Sequence, residues 1–137
     1  MIERLVFVII AFSVGVVVYS LITRRQLALV ELTAPRDPLL RDVPAGVPTI
    51  VYFTTPTCVP CQLQQTPTLK RLKEETGEHL QVIRVDATED PDAASRWGVF
   101  SVPTTFVLDA DGKPRSVFNG VVSAEVLRKE IGLNQVG

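Results

Sequence analysis

The stretch Thr49-Ile50-Val51-Tyr52-Phe53 leads almost directly into Cys58-Val59-Pro60-Cys61, which holds both cysteines of this 137-residue chain. The first run is apolar and rich in β-branched residues, as in buried central strands. We expect a helix to begin around Cys58 and to run toward Thr76, where Gly77 is a C-terminal signal. A cysteine pair at such a turn can form a disulfide and return to two thiols, and the helix dipole stabilises a thiolate at the first cysteine.

The composition excludes two classes of protein. The formal net charge is −1, so the chain has no basic footprint for nucleic acid. Two cysteines are too few for a secreted domain that is held together by several disulfides. The length fits one domain with an additional segment. The mean hydropathy of +0.24 is high, and its source is a local apolar segment near the amino end.

That segment, residues 5–22, contains eighteen residues without a charge. As a helix it would be about 27 Å long, close to the ~30 Å hydrocarbon core of a bilayer. A buried core helix is disfavoured because the segment is apolar all round. A cleaved signal peptide is disfavoured because no small-x-small site follows. We therefore predict a short tail, residues 1–4, and a retained single-pass transmembrane helix over residues 5–22.

Residues 23–47 contain several prolines, which block a continuous helix, so we predict a semi-rigid linker there. Within it, Gln26–Leu32 fits either an extension of the anchor helix or a short edge strand. Arg24 and Arg25 follow the apolar segment directly, whereas a single arginine precedes it. By the positive-inside rule, this bias favours a cytoplasmic position for the domain predicted over residues 48–137.

The domain is predicted to contain, in order, strand, helix, strand, helix, strand, strand and helix. The alternation of apolar and polar residues over Leu80–Asp86 indicates the second strand. Asp90-Pro91 is typical of the start of a helix, and Gly98 is typical of its end. Asp109–Gly112 is typical of a hairpin turn, and Ser123 of an N-cap. We expect Trp97 to pack in the core. The other predicted strands are Thr104–Leu108 and Lys113–Asn119. The last predicted helix runs from Ser123 to about Ile131, with Val126, Leu127 and Ile131 on one face.

From about Pro48 to Leu133 the chain resembles the thioredoxin family. The motifs that carry the resemblance are Val51-Tyr52-Phe53, Cys58-Val59-Pro60-Cys61, Arg84-Val85-Asp86, Trp97-Gly98-Val99, Val102-Pro103-Thr104, Asp111-Gly112 and Gly120. The resemblance implies an α/β thioredoxin-like fold, in which helices flank a central mixed β-sheet, here preceded by one transmembrane helix. It also implies a membrane-tethered thiol–disulfide oxidoreductase that reduces protein disulfides.

The resemblance assigns roles to individual residues. Cys58 would attack a partner disulfide, and Cys61 would then resolve the mixed disulfide. Pro103 would be a cis proline facing the disulfide, and the backbone of Val102 would pair with an extended substrate segment. Pro60 stiffens the first helical turn, and we expect it to bind substrate together with Val102 and Pro103. The implied partners are protein disulfides, an upstream thiol electron donor and the membrane, with no cofactor besides the disulfide.

Two alternatives to a redox enzyme stay open on the residues alone. A structural zinc site usually needs four nitrogen or sulfur ligands. The chain offers two cysteines and the distant His79, so a zinc site would need carboxylates or a second chain, and we expect no metal. The second alternative is a non-catalytic thioredoxin-fold module that binds a partner at the membrane.

The sequence departs from the family pattern at two informative positions. Thioredoxins usually have a buried aspartate where Tyr52 stands, and tyrosine does not take over its proton transfer near neutral pH. Their helix-kinking proline falls five residues after the second cysteine, whereas Pro67 falls six after Cys61. The Val-Pro dipeptide is similar to that of anchored thioredoxin-like reductases that act outside the cytoplasm. That similarity opposes the charge bias on the membrane side, and we expect a reduction potential near the reducing end of the family's range.

Overall fold

The structure is a computed structural model, and it describes residues 1–33, 37–41, 43–44 and 46–131. The helices are α1 (Ile2–Thr33), α2 (Thr66–Thr76), α3 (Pro91–Arg96) and α4 (Ala124–Glu130). The strands are β1 (Thr49–Thr54), β2 (Gln81–Asp86), β3 (Thr104–Leu108) and β4 (Pro114–Asn119). The predicted order of strands and helices in the domain is confirmed.

The four strands form one mixed sheet in the order β2-β1-β3-β4. β1 pairs in parallel with β2 and antiparallel with β3, and β3 pairs antiparallel with β4. In this register Phe53 lies opposite Thr104, which in turn lies opposite Asn119. These three residues mark one end of the sheet, and we call it the disulfide end because β1 leads from there into the cysteine motif.

Alternation along β1 sends side chains to both faces of the sheet. Ile50 and Tyr52 belong to a core shared with α2 and α4. Val51 and Phe53 belong to a second core, which contains Trp97 and residues of α1 and α3. Helices therefore cover both faces, and the thioredoxin-like fold class is confirmed. Trp97 is fully buried, as predicted, with its ring centroid 5.1 Å from that of Phe106.

The first helix does not end where the apolar segment ends. α1 continues to Thr33, and the buried side chains of Gln26 and Val30 pack against the domain. Of the two alternatives for Gln26–Leu32, the structure shows the helical extension, and residues 23–33 are helical where prolines further on suggest a linker. The prolines exert no effect there because they all follow Thr33.

Before this docked portion, α1 projects from the domain with its apolar residues exposed. By length and composition it could cross a membrane, although a signal sequence passes the same test. The division into residues 1–4, 5–22, 23–47 and 48–137 stays a prediction, and the predicted chain end beyond Ile131 lies outside the described residues.

Local signals in the domain are confirmed at atomic level. The side chains of Asp90 and Ser123 cap α3 and α4 by accepting hydrogen bonds from backbone N–H groups. Gly112 has the positive φ that its hairpin turn requires. One prediction in α4 is wrong: Val126 is 40% exposed, whereas Leu127 is fully buried. Residue 126 lies a quarter of a turn from the buried stripe of this short helix.

Candidate functional site

The candidate site begins where β1 ends. Its last residue is Thr54, and the chain then turns so that the N–H of Cys58 donates to the carbonyl of Thr55 at 3.2 Å. The side-chain amide of Gln62 donates back to the carbonyl of Pro56. The turn is thus held by its own backbone and by the helix that follows, so the position of the first cysteine is fixed.

Cys58 and Cys61 form a disulfide with an S–S distance of 2.08 Å and a Cα–Cα distance of 5.2 Å. The two residues differ in accessibility, because Cys58 is 7% exposed and Cys61 is 0% exposed. The backbone N–H of Cys61 donates to Sγ of Cys58 at 3.2 Å. A partner molecule therefore reaches Sγ of Cys58 before that of Cys61, and a backbone dipole already points at the outer sulfur.

The helix after the motif starts with a π-helical segment, Cys61–Gln65, in which the N–H of Thr66 bonds the carbonyl of Cys61. Such a segment widens one turn by one residue. Pro67, six residues after Cys61, then falls in the first turn of α2, where its missing N–H is tolerated. The extra residue that distinguishes this chain from the usual spacing is thus absorbed in the turn beside the inner cysteine.

Tyr52 lies directly behind the inner cysteine. Its hydroxyl donates to the carbonyl of Cys61 at 3.4 Å and shares a hydrogen bond of 3.1 Å with the hydroxyl of Thr66. The residue is 1% exposed. Thioredoxins usually have an aspartate carboxylate at this position. Here the hydroxyl of Tyr52 takes its place and supports the backbone of the π-helical turn.

The Val102–Pro103 peptide bond is cis, as the resemblance implied. Val102 packs against the core cluster that contains both cysteines. The carbonyl of Pro103 accepts a hydrogen bond from the N–H of Gly120 at 2.9 Å, which fixes the loop after β4 beside it. Pro60 is exposed in the first helical turn. Of the predicted site residues, the structure thus brings Cys58, Cys61 and Val102 together around one cluster.

One residue near the site, Gln65, has a structural role that the sequence does not indicate. Its side chain is fully buried, donates to the carbonyl of Val122 at 3.2 Å and accepts from the N–H of Val122 at 2.8 Å. It therefore links the helix that carries Cys61 to the loop that follows β4. No signal in the sequence distinguishes Gln65 from its neighbours Gln62 and Gln64, which are exposed, because the contact spans 57 positions.

The surroundings of the disulfide are electrically neutral on three sides. The segments 54–69, 97–108 and 116–124 contain no charged residue. At the end of edge strand β2, hydrogen bonds from Thr88 lower the pKa of the half-buried Asp86 below its ordinary value. Across residues 1–33, 37–41, 43–44 and 46–131, no three His, Cys, Asp or Glu residues are grouped to hold a metal ion.

Comparisons with known proteins agree with this geometry. The sequence model of the thioredoxin family, described as Thioredoxin, matches residues 40–132. The chain is similar to thioredoxin of Bacillus subtilis (strain 168), with 34% identity over 77 residues that cover 56% of this chain and 72% of that one. It is also similar to chloroplastic thioredoxin Y of Oryza sativa subsp. japonica, with 32% identity over 61% of this chain, but spans about half (49%) of that relative.

The solved structure of Fasciola hepatica thioredoxin is similar with a TM-score of 0.57 and 28% identity, over 65% of this chain and 82% of that one. A mutant thioredoxin from Halobacterium salinarum NRC-1 gives 0.56 and 29%, over 63% and 73% of the two chains. The match of the family model covers more than half of the sequence and includes the cysteine motif and the cis proline. This chain therefore belongs to the thioredoxin family and is a disulfide oxidoreductase with its redox-active pair at Cys58 and Cys61.

Proposed function

We propose that this chain is a membrane-tethered oxidoreductase that reduces protein disulfides through the dithiol form of Cys58 and Cys61. The observation that carries the proposal is the hydrogen bond from the N–H of Cys61 to Sγ of Cys58 at the start of a helix. When the disulfide is reduced, this donor and the helix dipole favour the thiolate of Cys58 over its thiol. The thiolate is the form that attacks a disulfide.

The two cysteines take successive roles. Sγ of Cys58, the more accessible sulfur, attacks one sulfur of the partner's disulfide and displaces the other, giving a mixed disulfide. The buried Cys61 then attacks Sγ of Cys58, which releases the partner as a dithiol and restores the Cys58–Cys61 disulfide. Two electrons and two protons pass to the partner, and an upstream dithiol must return them.

The surface beside the disulfide fits an extended peptide. The backbone of Val102, next to the cis bond of Pro103, would pair with a substrate segment in the manner of a strand. Pro60 has no N–H and a fixed φ, so it would form a rigid, uncharged wall beside the outer sulfur. Because the segments around the disulfide are uncharged, the substrate would be selected by its extended backbone and apolar side chains.

The tether is supported by the course of α1. Its apolar portion is exposed on all sides, and Arg24 and Arg25 follow at the position where basic side chains reach lipid headgroups. The same helix continues without a break into turns that bury Gln26 and Val30 in the domain. Removal of the apolar portion as a signal peptide would have to cut this continuous helix close to its docked part, which favours a retained anchor.

The redox proposal is tested by reduction of insulin disulfides with the full chain in detergent micelles, with dithiothreitol as electron source. We expect the wild-type chain to accelerate precipitation of the insulin B chain. A Cys58→Ser variant should give the rate of dithiothreitol alone. A Cys61→Ser variant that is reduced and then freed of dithiothreitol should accumulate a mixed disulfide with insulin that is visible on a non-reducing gel, because the resolving thiol is absent. Equal rates for wild type and Cys58→Ser would instead favour the non-catalytic binding module.

The tether is tested separately by flotation of reconstituted vesicles and by intact mass of protein expressed in cells. We expect the full mass, without loss of residues 1–22, and co-flotation with lipid that resists alkaline carbonate. A mature protein that lacks this segment would overturn the tether and leave the redox proposal standing.

A further inference from the structure

The direction of α1 relative to the sheet determines which end of the domain meets the membrane. Gln26 donates to the carbonyl of Gly98 at 3.0 Å and exchanges hydrogen bonds with the side chain of Asn119 at 3.0 and 3.3 Å. Asn119 is opposite Thr104 in the last register pair of β4. Gln26 therefore lies at the disulfide end of the sheet.

From Gln26 the chain runs toward the opposite end of the sheet. Val30, one turn later, belongs to the core cluster that also contains Leu108, the last residue of β3. Leu40 lines a surface pocket with Thr49, the first residue of β1, and with Gly112. The docked part of α1 thus runs from the disulfide end toward the opposite end of the sheet, and the preceding part leaves the domain at the disulfide end, where Tyr19 still lines a pocket with the loop after β4.

The apolar part of α1 leaves the domain close to the loop after β4. Tyr19 lines a shallow surface pocket together with Asn119, Gly120 and Val121. This loop is hydrogen-bonded to Pro103, the cis proline that follows Val102, and Val102 packs against the core cluster that contains both cysteines. The segment that would enter a bilayer therefore starts next to the substrate surface of the domain.

Helix geometry gives the distance to the membrane. Ile22 ends the uncharged segment, and Gln26 follows about 6 Å further along the axis at ~1.5 Å per residue. The opposite end of the sheet is about 17 Å further away, the length of a six-residue strand. A tilt of about 20°, which is usual for single spans, does not reverse this order.

We propose that the disulfide end of the domain faces the bilayer and that the substrate of Cys58 is a disulfide of an integral membrane protein, held at the membrane surface. This inference rests on the proposed function. Because even a 100-residue globular protein has a radius of gyration of about 13 Å, folded soluble proteins do not fit into a gap of about 6 Å. A loop that emerges from a neighbouring transmembrane segment does fit.

The character of the surface agrees with this position. Four apolar side chains on the uncharged segments around the disulfide are between 45% and 72% exposed, namely Val59, Leu63, Phe100 and Val121. Isolated apolar side chains on a surface are ordinary, but these four cluster on segments that converge at one end of the sheet. The described charges of the β3–β4 turn, Asp109, Asp111 and Lys113, lie at the other end, and a charge at the disulfide end lies on the far side, at Asp86 of edge strand β2.

The orientation is tested with fluorescent labels on the full chain in phosphatidylcholine vesicles that contain headgroup spin-labelled lipid. In a Cys58→Ser, Cys61→Ser background, the label is placed at V121C or, as a matched control, at D111C. We expect quenching at position 121 to exceed that at position 111 about threefold or more, because position 111 lies about a strand length, ~17 Å, further from the headgroups. Equal quenching, or stronger quenching at position 111, would overturn the inference.

The partner class is tested with two probes, insulin and a synthetic transmembrane peptide whose loop disulfide lies five residues outside its apolar segment. The full chain in nanodiscs should prefer the membrane peptide about tenfold more than a variant with Gly-Gly-Ser-Gly-Gly-Ser inserted after Thr23, because the rigid helix holds the two reactants together. An unchanged preference would contradict the inference. Loss of insulin reduction by the Gly-Ser-inserted variant, whose domain is no longer held against the bilayer, or failure of the full chain to float, would instead contradict the proposed function.

Discussion

The indole N–H of Trp97 donates a hydrogen bond to Oδ2 of Asp37 across 2.8 Å, and both residues are buried. The same carboxylate accepts from the N–H of Leu39 at 3.0 Å and from the guanidinium of Arg96 at 3.2 and 3.4 Å. Asp37 therefore ties the segment after α1 to the end of α3. Burial alone would raise the pKa of Asp37, but these hydrogen bonds together outweigh it and lower the pKa below 3.8.

An Asp37→Asn variant should lose about 1–3 kcal/mol of stability near neutral pH, because a charged acceptor of several buried donors is replaced by a neutral one. The depressed pKa means that the carboxylate contributes stability above pH 3.8 and that this contribution is lost as the pH falls through the folded-state value. The free energy of unfolding by urea, measured for both chains from about pH 6 to about pH 2.5, should therefore converge at the acid end. A difference that is independent of pH would contradict this account.

The buried amide of Gln65 gives a second prediction. A Gln65→Ala change leaves the N–H and the carbonyl of Val122 without their side-chain partner, at a cost of about 2–3 kcal/mol. Gln64→Ala, one residue away and exposed, is the matched control and should change stability by less than about 0.5 kcal/mol. Equal losses in the two variants, measured by urea unfolding, would show that the link to Val122 contributes nothing.

How far the sequence predicts this structure depends on the range of the signals. Asp90, Ser123 and Gly112 act on their immediate neighbours, so the helix starts and the hairpin turn follow from local rules. The cysteine motif and the cis proline are recognisable as family motifs. The docking of α1 is not predictable in this way, because Gln26 meets Gly98 at a separation of 72 positions.

The same limit applies to the region behind the inner cysteine. The displaced Pro67 indicates that the spacing differs from the family pattern, but not where the extra residue is absorbed. The π-helical segment Cys61–Gln65 absorbs it because the hydroxyls of Tyr52 and Thr66 bond to each other beside the carbonyl of Cys61. A tyrosine in a buried strand has no pattern that predicts which backbone group its hydroxyl will meet.

Tyr52 is expected to support structure and to take no part in proton transfer. A Tyr52→Phe variant should lose about 1 kcal/mol of stability, the net value of a typical hydrogen bond. Its pH profile for insulin reduction should match that of the wild type, because the hydroxyl bonds to the backbone carbonyl of Cys61 and its role does not depend on a contact with the Cys61 sulfur. A profile displaced along the pH axis in the variant would contradict this and would assign Tyr52 a role in protonating Cys61.

The docking of α1 should depend on Gln26. In a Gln26→Ala variant the carbonyl of Gly98 and the side chain of Asn119 lose their partner, so we expect a loss of about 2 kcal/mol. Arg25→Ala, at an exposed position on the same turn, is the matched control. Hydrogen exchange of residues 23–33 in detergent micelles should accelerate in Gln26→Ala and stay unchanged in Arg25→Ala, because only the first variant frees the helix from the sheet. Protected amides over residues 23–33 in both variants would mean that the apolar contacts of Val30 alone hold the helix in place.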